Sequence, residues 1–235
     1  MTPEVTYQER IEFLRDTSLL AGLKEENLVT LANMGRFVKV TKGSFLFYQH
    51  DPANSIYILR SGEMAVVLTS LDGREMIINE IKPGDSFGEV SLLTSAGGRT
   101  AGAQAREDSE VMEIPGRTFL AVLDREPVIA RRMLEIATQR LFKAHQRESA
   151  LAFLDAPARV ARVILEMDEA DRRGPDKGYI TLSQEELAQR TGLTRQTVAN
   201  SLGKWRRNDW LLTGRGRIMV LNRAALRRIE EQGIK

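Results

Sequence analysis

The chain has 235 residues, no cysteine and two histidines, and its lysines and arginines exceed its aspartates and glutamates by only two charges. This length is enough for two small domains, each with a hydrophobic core. The absence of cysteine excludes disulfides, iron–sulfur clusters, thiolate zinc sites and sulfur-based redox sensing. No apolar run approaches the roughly 20 residues of a membrane helix, so we expect a soluble cytoplasmic protein with no membrane partner. With no cysteine and only two histidines, we also expect no metal site.

The N-terminal half alternates short β-prone runs with turn residues. Residues 14–34 predict short helices, and five strand-like runs follow between Phe37 and Ile114. Gly, Pro and Asp separate the runs, and Asp72-Gly73 is a strong hairpin signal. Evenly spaced short strands are typical of an antiparallel barrel or sandwich. The runs are Ser44–Tyr48, Ser55–Leu59, Met64–Leu68, Met76–Asn79 and Glu110–Ile114.

A heptad pattern runs from about Pro127 to Leu154. Its spacings alternate between four and three, which indicates a coiled-coil seam and predicts a long dimerisation helix and a homodimer. Glu148 is polar at a seam position and is interpreted as a register or switch residue. Packing of the stripe on the chain's own β-domain is the alternative. The seam positions are Ala130, Leu134, Ala137, Leu141, Ala144, Glu148 and Leu151.

The residues after this helix predict a boundary and a new domain. Asp155 can N-cap the next helix, and Pro157 fits its first turn. Residues 172–178 predict a loop, and 179–182 predict a short strand. The chain is therefore divided into a β-domain at 1–126, a dimerisation helix and hinge at 127–154, and a C-terminal domain at 155–235.

Two helix-start signals flank a glycine turn in the last segment. Ser183 predicts an N-cap that accepts from the backbone of Glu186. Thr191-Gly192-Leu193 supplies the turn, and Thr194 caps a second helix over residues 195–202. In that helix Val198, Leu202 and the following Trp205 are predicted to face the core. Helix, turn and polar-faced helix are the parts of a helix-turn-helix.

The polar face of the second helix carries the chemistry for reading DNA. Arg pairs with guanine, and Gln or Asn pairs with adenine, in the major groove. Residues 213–218 predict a hairpin with basic tips, suited to phosphate contact. An ordinary helical hairpin with a solvated basic face is the alternative. The predicted DNA-binding residues are Thr194, Arg195, Gln196, Thr197, Asn200, Lys204, Arg215 and Arg217.

A second candidate site lies at residues 87–93 and 99–101. Gly88 permits close approach of a ligand to the backbone, and turn N–H groups follow Glu89. Glu89 can accept from a ribose hydroxyl, and Arg99 can pair bidentately with a phosphate. A capped loop without a ligand is the alternative.

Several runs agree in order and spacing with one known family. They are Gly62-Glu-Met-Ala-Val, Gly73-Arg-Glu-Met-Ile, Pro83-Gly-Asp-Ser-Phe-Gly-Glu, Arg99-Thr-Ala, Phe153-Leu-Asp155 and Leu193-Thr-Arg-Gln-Thr-Val198. On these runs the chain, over roughly residues 15–222, resembles the CRP/FNR superfamily, particularly its cyclic AMP receptor branch. The resemblance implies an α+β fold: an N-terminal antiparallel β-roll of the cyclic-nucleotide-binding jelly-roll type, a long dimerisation helix and a C-terminal winged helix-turn-helix. It also implies a phosphate-binding cassette containing Gly88, Glu89, Val90, Ser91, Arg99 and Thr100.

The chain departs from that branch at both recognition surfaces. There a Thr-Ser pair on the long helix contacts adenine, whereas Ala144-His145 cannot repeat the hydroxyl bonds. Cyclic AMP is the favoured effector, with cyclic GMP, another nucleotide or an effector-independent form left open. His145 can stack on a purine; a solvent-facing histidine and a haem ligand are the alternatives. Gln196 and Asn200 replace a Glu and a later Arg, which predicts an altered operator.

The resemblance implies a non-enzymatic transcription regulator, a homodimer under allosteric control. Its expected partners are double-stranded operator DNA and RNA polymerase. An enzyme would need a catalytic constellation, and neither Gly-x-Ser-x-Gly nor a P-loop is present. A nucleotide-binding module without DNA binding would not need Arg195, Gln196 and a basic hairpin. Activation and repression both stay open.

Overall fold

The computed structural model describes residues 6–94, 97–171 and 178–233. They form two compact units. The first comprises the described residues up to Leu71 together with Ile77–Leu141, and the second comprises Asp72–Met76 and the described residues from Phe142 onward. The predicted loop at 172–178 lies outside the described residues except for Gly178.

The described helices and strands are as follows in chain order. Those up to the long helix are α1 (Tyr7–Asp16), α2 (Glu25–Met34), β1 (Arg36–Val40), β2 (Phe45–Phe47), β3 (Ser55–Ser61), β4 (Met64–Thr69), β5 (Glu75–Ile81), β6 (Ser86–Phe87), α3 (Val90–Leu93), β7 (Gly102–Ala105), β8 (Ser109–Pro115), α4 (Gly116–Leu123) and α5 (Pro127–Phe153). They are followed by α6 (Ala156–Asp171), β9 (Ile180–Thr181), α7 (Gln184–Thr191), α8 (Arg195–Arg207), β10 (Leu211–Gly214), β11 (Arg217–Val220) and α9 (Arg223–Gln232).

Two four-stranded sheets form the β-domain of the first unit. Their strand orders are β1-β8-β3-β6 and β2-β7-β4-β5, and β8 pairs antiparallel with both β1 and β3. Strand β3 is buried on both faces. Ile56 and Ile58 pack with the helices, while Tyr57 and Leu59 join the cluster that includes Met64 of the other sheet. The predicted antiparallel roll is confirmed.

Three strands and one helix start differ from the sequence predictions. The five predicted runs coincide with β2, β3, β4, β5 and β8, whereas β1, β6 and β7 were not predicted as separate strands. Strand β7 reads Gly-Ala-Gln-Ala, which has low β-propensity, and it is held as a strand by pairing with β2 and β4. Helix α1 begins at Tyr7 rather than near Leu14, because Thr6 and Glu9 form a reciprocal capping box.

Helix α5 has 27 residues, and the two leucines of its predicted seam that lie in the first unit are exposed. Ile129 is fully buried, and Met133 and Ile136 pack on the same core. Leu134 and Leu141 of the seam are 68% and 56% exposed. The alternative in which these leucines pack on the chain's own β-domain is therefore wrong.

The second unit has a small helical core with a three-stranded sheet of order β10-β11-β9. The Asp155 carboxylate accepts from the Ala158 backbone N–H at 2.8 Å, so the predicted N-cap of α6 is present. Helix α9 packs on α6. The buried core residues include Val160, Ile164, Leu187, Val198, Trp205 and Leu226.

Candidate effector site and nucleic-acid interface

Local backbone chemistry positions helix α8 after α7. The Ser183 hydroxyl accepts from the Glu186 backbone N–H at 3.1 Å and starts α7. Gly192 ends α7 in the left-handed conformation, with φ of +65°. Thr194 then caps α8 by accepting from the Thr197 N–H at 3.2 Å. The predicted helix, turn and helix are confirmed, and α8 continues to Arg207, beyond the predicted residue 202.

Helix α8 separates an apolar face from a polar one as its sequence predicts. Val198 and Leu202 are buried, whereas Arg195, Gln196 and Asn200 lie on the accessible side. The Gln196 amide donates to the Asn200 side-chain oxygen at 3.0 Å, so the two amides lie side by side on the accessible face. Three other predicted DNA-binding residues belong to this segment. The hydroxyls of the N-cap Thr194 and of Thr197 lie 2.9 Å apart, and Lys204 is exposed.

The predicted basic hairpin is formed by β10 and β11. Gly214 pairs with Arg217, and the turn between them places Gly216 at φ of +69°. An open groove beside the hairpin is lined by Ser183 and Arg195 as well as by Arg215 and Arg217. The structure therefore brings the first arginine of α8 together with both arginines of the hairpin, although Arg195 and Arg215 are far apart in the sequence.

The candidate effector residues of the first unit gather around the turn at Gly88. Gly88 has φ of +82°, and a Cβ added there would lie 2.8 Å from Nη1 of Arg99. The Arg99 guanidinium donates to the carbonyls of Gly88 and Ser55, at 2.9 Å in each case. Ser91 Oγ accepts from the Thr100 N–H at 3.2 Å. Two contacting pairs, Gly88 with Arg99 and Ser91 with Thr100, thus join the turn to the segment at 99–101.

Arg99 is 3% exposed, and two aromatic rings cover it. Its Cζ lies 4.2 Å from the Phe47 ring centroid and 5.3 Å from that of Tyr57. Burial lowers the pKa of the guanidinium from its ordinary value, although arginine remains protonated in proteins. Its Nε atom is buried with no hydrogen-bond partner among the described residues. The cassette therefore contains a desolvated cation with an unfilled donor.

Glu89, also a predicted effector residue, is paired within the first unit. Its Oε1 accepts from Arg140 Nη1 of α5 at 2.5 Å, and Arg140 also donates to the Ser86 carbonyl. Glu89 Oε2 is buried and has no partner among the described residues. Arg140 was not predicted as a site residue from the sequence. The one feature that could have indicated it is its position on the same helix, one turn before Ala144.

The other predicted effector residues are exposed. Val90, at the start of α3, is 47% exposed, and Thr100 is also exposed. Ala144 and His145 are exposed on α5 and belong to the second unit. The described part of the chain contains no group of three or more His, Asp or Glu side chains that could hold a metal. Within that part, too, no helix is both long and apolar enough to cross a membrane.

Family models match both units of the chain. Residues 37–126 match the model of the cyclic nucleotide-binding domain, and residues 158–229 match the Crp-like helix-turn-helix domain. The chain is 31% identical over 186 residues to the cAMP-activated global transcriptional regulator CRP of Pasteurella multocida, covering 78% of this chain and 88% of that one. It is 27% identical over 205 residues to a CRP-like cAMP-activated global transcriptional regulator of Mycobacterium tuberculosis, covering 85% and 90%.

Solved structures share the fold. A CRP-family transcriptional regulator from Thermus thermophilus has a TM-score of 0.69 at 24% identity, covering 84% of this chain and 98% of that one. CLP of Xanthomonas campestris, described as a c-di-GMP responsive global regulator, has a TM-score of 0.74 at 20% identity and covers 84% and 99%. At sequence identities of 20% and 24%, these two comparisons show a shared fold.

Proposed function

This chain belongs to the CRP/FNR superfamily of DNA-binding transcription regulators, and we propose that it is a homodimer whose operator affinity is controlled by a cyclic nucleotide. The family consists of regulators and not of enzymes. We assign effector binding to residues 1–126, dimerisation to 127–154 and DNA binding to 155–235. RNA polymerase is the proposed further partner, and the cytoplasm is the proposed compartment.

The observation that supports effector binding is a pair of buried polar atoms near Gly88 that lack partners in the described part of the chain, one on Arg99, which contacts the Gly88 carbonyl, and one on Glu89, the next residue in the chain. Among the described residues, neither the buried donor Nε of Arg99 nor the buried acceptor Oε2 of Glu89 has a partner. A buried polar atom that lacks a partner costs about 1–3 kcal/mol, which a bound ligand can recover. A nucleotide supplies the complementary groups, since its phosphate accepts and its ribose hydroxyl donates. Val90, Ser91 and Thr100 complete the proposed cassette.

Cyclic AMP is the favoured effector. The relatives from Pasteurella multocida and Mycobacterium tuberculosis are named as cAMP-activated. The structural neighbour from Xanthomonas campestris is named as c-di-GMP responsive, so cyclic GMP and cyclic di-GMP belong in the same test. We assign reading of the base to Ala144 and His145. There a ring nitrogen of His145 would serve as the hydrogen-bonding atom in place of the Thr-Ser hydroxyls of the cyclic AMP receptor branch.

The exposed seam of α5 supports the homodimer. Leu134 and Leu141 lie one heptad apart, and both are more than half exposed. Two copies of this stripe, packed about a two-fold axis, would bury both leucines in a symmetric interface. A two-fold dimer also presents two copies of α8 to half-sites about one DNA turn apart.

The accessible polar face of α8 supports direct reading of the operator. Arg195 is proposed to pair with guanine, and Gln196 and Asn200 with adenine or a neighbouring base. Thr194, Thr197 and Lys204, together with Arg215 and Arg217 of the hairpin, are proposed to contact the DNA backbone.

One titration tests effector control. The purified full chain is titrated with cyclic AMP, cyclic GMP and cyclic di-GMP by calorimetry, and its operator is selected from a randomised DNA pool with and without each nucleotide. A coupling of about 1–3 kcal/mol, or roughly 5- to 150-fold in operator affinity, is expected for the true effector. Equal operator affinity with and without all three nucleotides would overturn the proposal.

An effector-independent DNA-binding regulator is the second candidate, and it has its own supporting observation. Arg99 already donates to two carbonyls, and Glu89 already pairs with Arg140. A cassette with these internal partners is largely satisfied without a ligand. Tight operator binding by the nucleotide-free protein, with no heat on nucleotide titration, would favour this candidate.

A further inference from the structure

We infer that Phe47 and Tyr57 are positioning residues for the effector phosphate, acting by fixing the plane of the Arg99 guanidinium. This inference rests on the proposed function and adds a specificity device to the same cassette. Neither aromatic residue belongs to the turn at residues 87–93 or to the segment 99–101, which carry the phosphate chemistry in the sequence.

The two rings and two carbonyls hold Arg99 from separate directions. The Phe47 and Tyr57 rings are stacked at 5.5 Å with an interplanar angle of 29°, and Arg99 lies over both. The carbonyls of Ser55 and Gly88 accept from its two terminal nitrogens. Attraction between a guanidinium and an aromatic face is stronger when the cation is desolvated, as it is in this buried side chain.

Tyr57 is itself fixed by a carboxylate. Its hydroxyl lies 3.3 Å from Oε1 of Glu113, which also accepts from the Ser55 hydroxyl at 3.0 Å. Burial and the nearby Glu113 charge raise the pKa of Tyr57, so the ring stays neutral and retains its hydroxyl proton at neutral pH. Ser55 therefore links Glu113 to Arg99, by its hydroxyl on one side and its carbonyl on the other.

A guanidinium with a fixed plane can distinguish the two exocyclic oxygens of a cyclic phosphate. Its N–H groups form a rigid fork, so fixing the plane fixes the directions in which the remaining donors point. A phosphate bound at the Gly88 turn would then receive the charge-assisted hydrogen bonds on one oxygen in preference to the other. Without the Phe47 ring the plane would be held less firmly, by the two carbonyls and Tyr57 alone, and this preference would fall.

The experiment uses the full chain and the two phosphorothioate diastereomers of cyclic AMP, in which sulfur replaces one exocyclic oxygen or the other. For the unmodified protein we expect their dissociation constants to differ about tenfold, as the loss of one hydrogen bond to a charged group would produce. In Phe47→Leu we expect this ratio to fall to within about twofold, with cyclic AMP itself bound roughly tenfold more weakly. Calorimetry measures both quantities.

Two variants separate positioning from general damage. Phe45→Leu is the matched control, because Phe45 lies on the same strand, is also half-buried, and stacks on Tyr48 at 4.7 Å rather than on Arg99. It should leave the ratio unchanged. Tyr57→Phe keeps the ring while removing the hydroxyl, and should retain most of the ratio. If Phe47→Leu does not fold, Phe47→Met fills similar space without a ring and replaces it.

The outcomes distinguish this inference from the proposed function. If the unmodified protein binds neither cyclic AMP nor cyclic GMP, nucleotide control and this inference both fail. If cyclic GMP binds instead, its own phosphorothioate diastereomers serve as the probes. If the nucleotide binds but the ratio is near one, or is unchanged in folded Phe47→Leu, only the positioning role is overturned. A ratio lost equally in Phe45→Leu overturns it as well.

Discussion

Leu134→Ala tests the dimer interface with little effect on the fold of one chain. Leu134 is 68% exposed, and burying a whole leucine stabilises by about 1.5–3 kcal/mol, so burying its exposed part contributes about 1–2 kcal/mol per chain. In the proposed symmetric dimer two copies of Leu134 would be buried, which makes about 2–4 kcal/mol in all. Alanine keeps the Cβ, so we expect the dimer to lose about 2 kcal/mol of association free energy and its dissociation constant to rise roughly thirtyfold. Alanine also has the highest helix propensity, so α5 itself is not weakened.

Sedimentation equilibrium across a dilution series measures this constant. Leu71→Ala is the control, because Leu71 is fully exposed in the turn after β4 and lies outside the α5 seam. It should leave the dissociation constant unchanged. A dimer of Leu134→Ala as tight as that of the unmodified protein would refute the assignment of the interface to this stripe.

Four further substitutions test the cassette and the DNA interface. Gly88→Ala should unfold at lower denaturant than Gly84→Ala: both positions have positive φ, but only at Gly88 does the new Cβ meet Arg99, at 2.8 Å. Equal midpoints would contradict the close packing. Arg195→Ala should weaken operator binding by about 1–3 kcal/mol in a gel shift and relax the choice of one base, while Arg228→Ala on α9 should not. Thr194→Ala should lower the free energy of unfolding by about 1 kcal/mol through loss of the α8 cap, measured by urea denaturation. Arg215→Ala should weaken all DNA sequences alike and reduce the slope of log affinity against log salt by about one; an unchanged slope would exclude a phosphate contact.

The elements that the sequence predicted well are those set by neighbouring residues. The cap at Ser183, the turn at Gly192 and the buried face at Val198 all depend on spacings of three or four positions, and each is present in the structure. Strand β7 could not be predicted in the same way. Its alanines fit the sheet because β2 and β4 lie on either side, and that pairing joins segments distant in the sequence.

The two candidate sites differ in the same way: the residues of the DNA-binding face are close in sequence, whereas those around Arg99 are not. Arg195 and Asn200 could be chosen from helical periodicity alone, because one helix carries both. The surroundings of Arg99 come from three other strands or turns, which hold Phe47, Tyr57 and Gly88, and no local pattern relates these positions. Arg140 likewise meets Glu89 only through tertiary packing within the first unit, because the two residues are far apart in the sequence.

This difference determines how each specificity can change. Gln196 and Asn200 lie at the surface and bond to each other, so replacing them should cost little stability, and under the proposed function it would alter base reading. Arg99 is buried between rings and carbonyls, and an apolar replacement leaves the carbonyls of Ser55 and Gly88 without this donor. Under the proposed function, the operator preference can therefore diverge by single substitutions, whereas the proposed phosphate contact of Arg99 is tied to the packing of the β-domain.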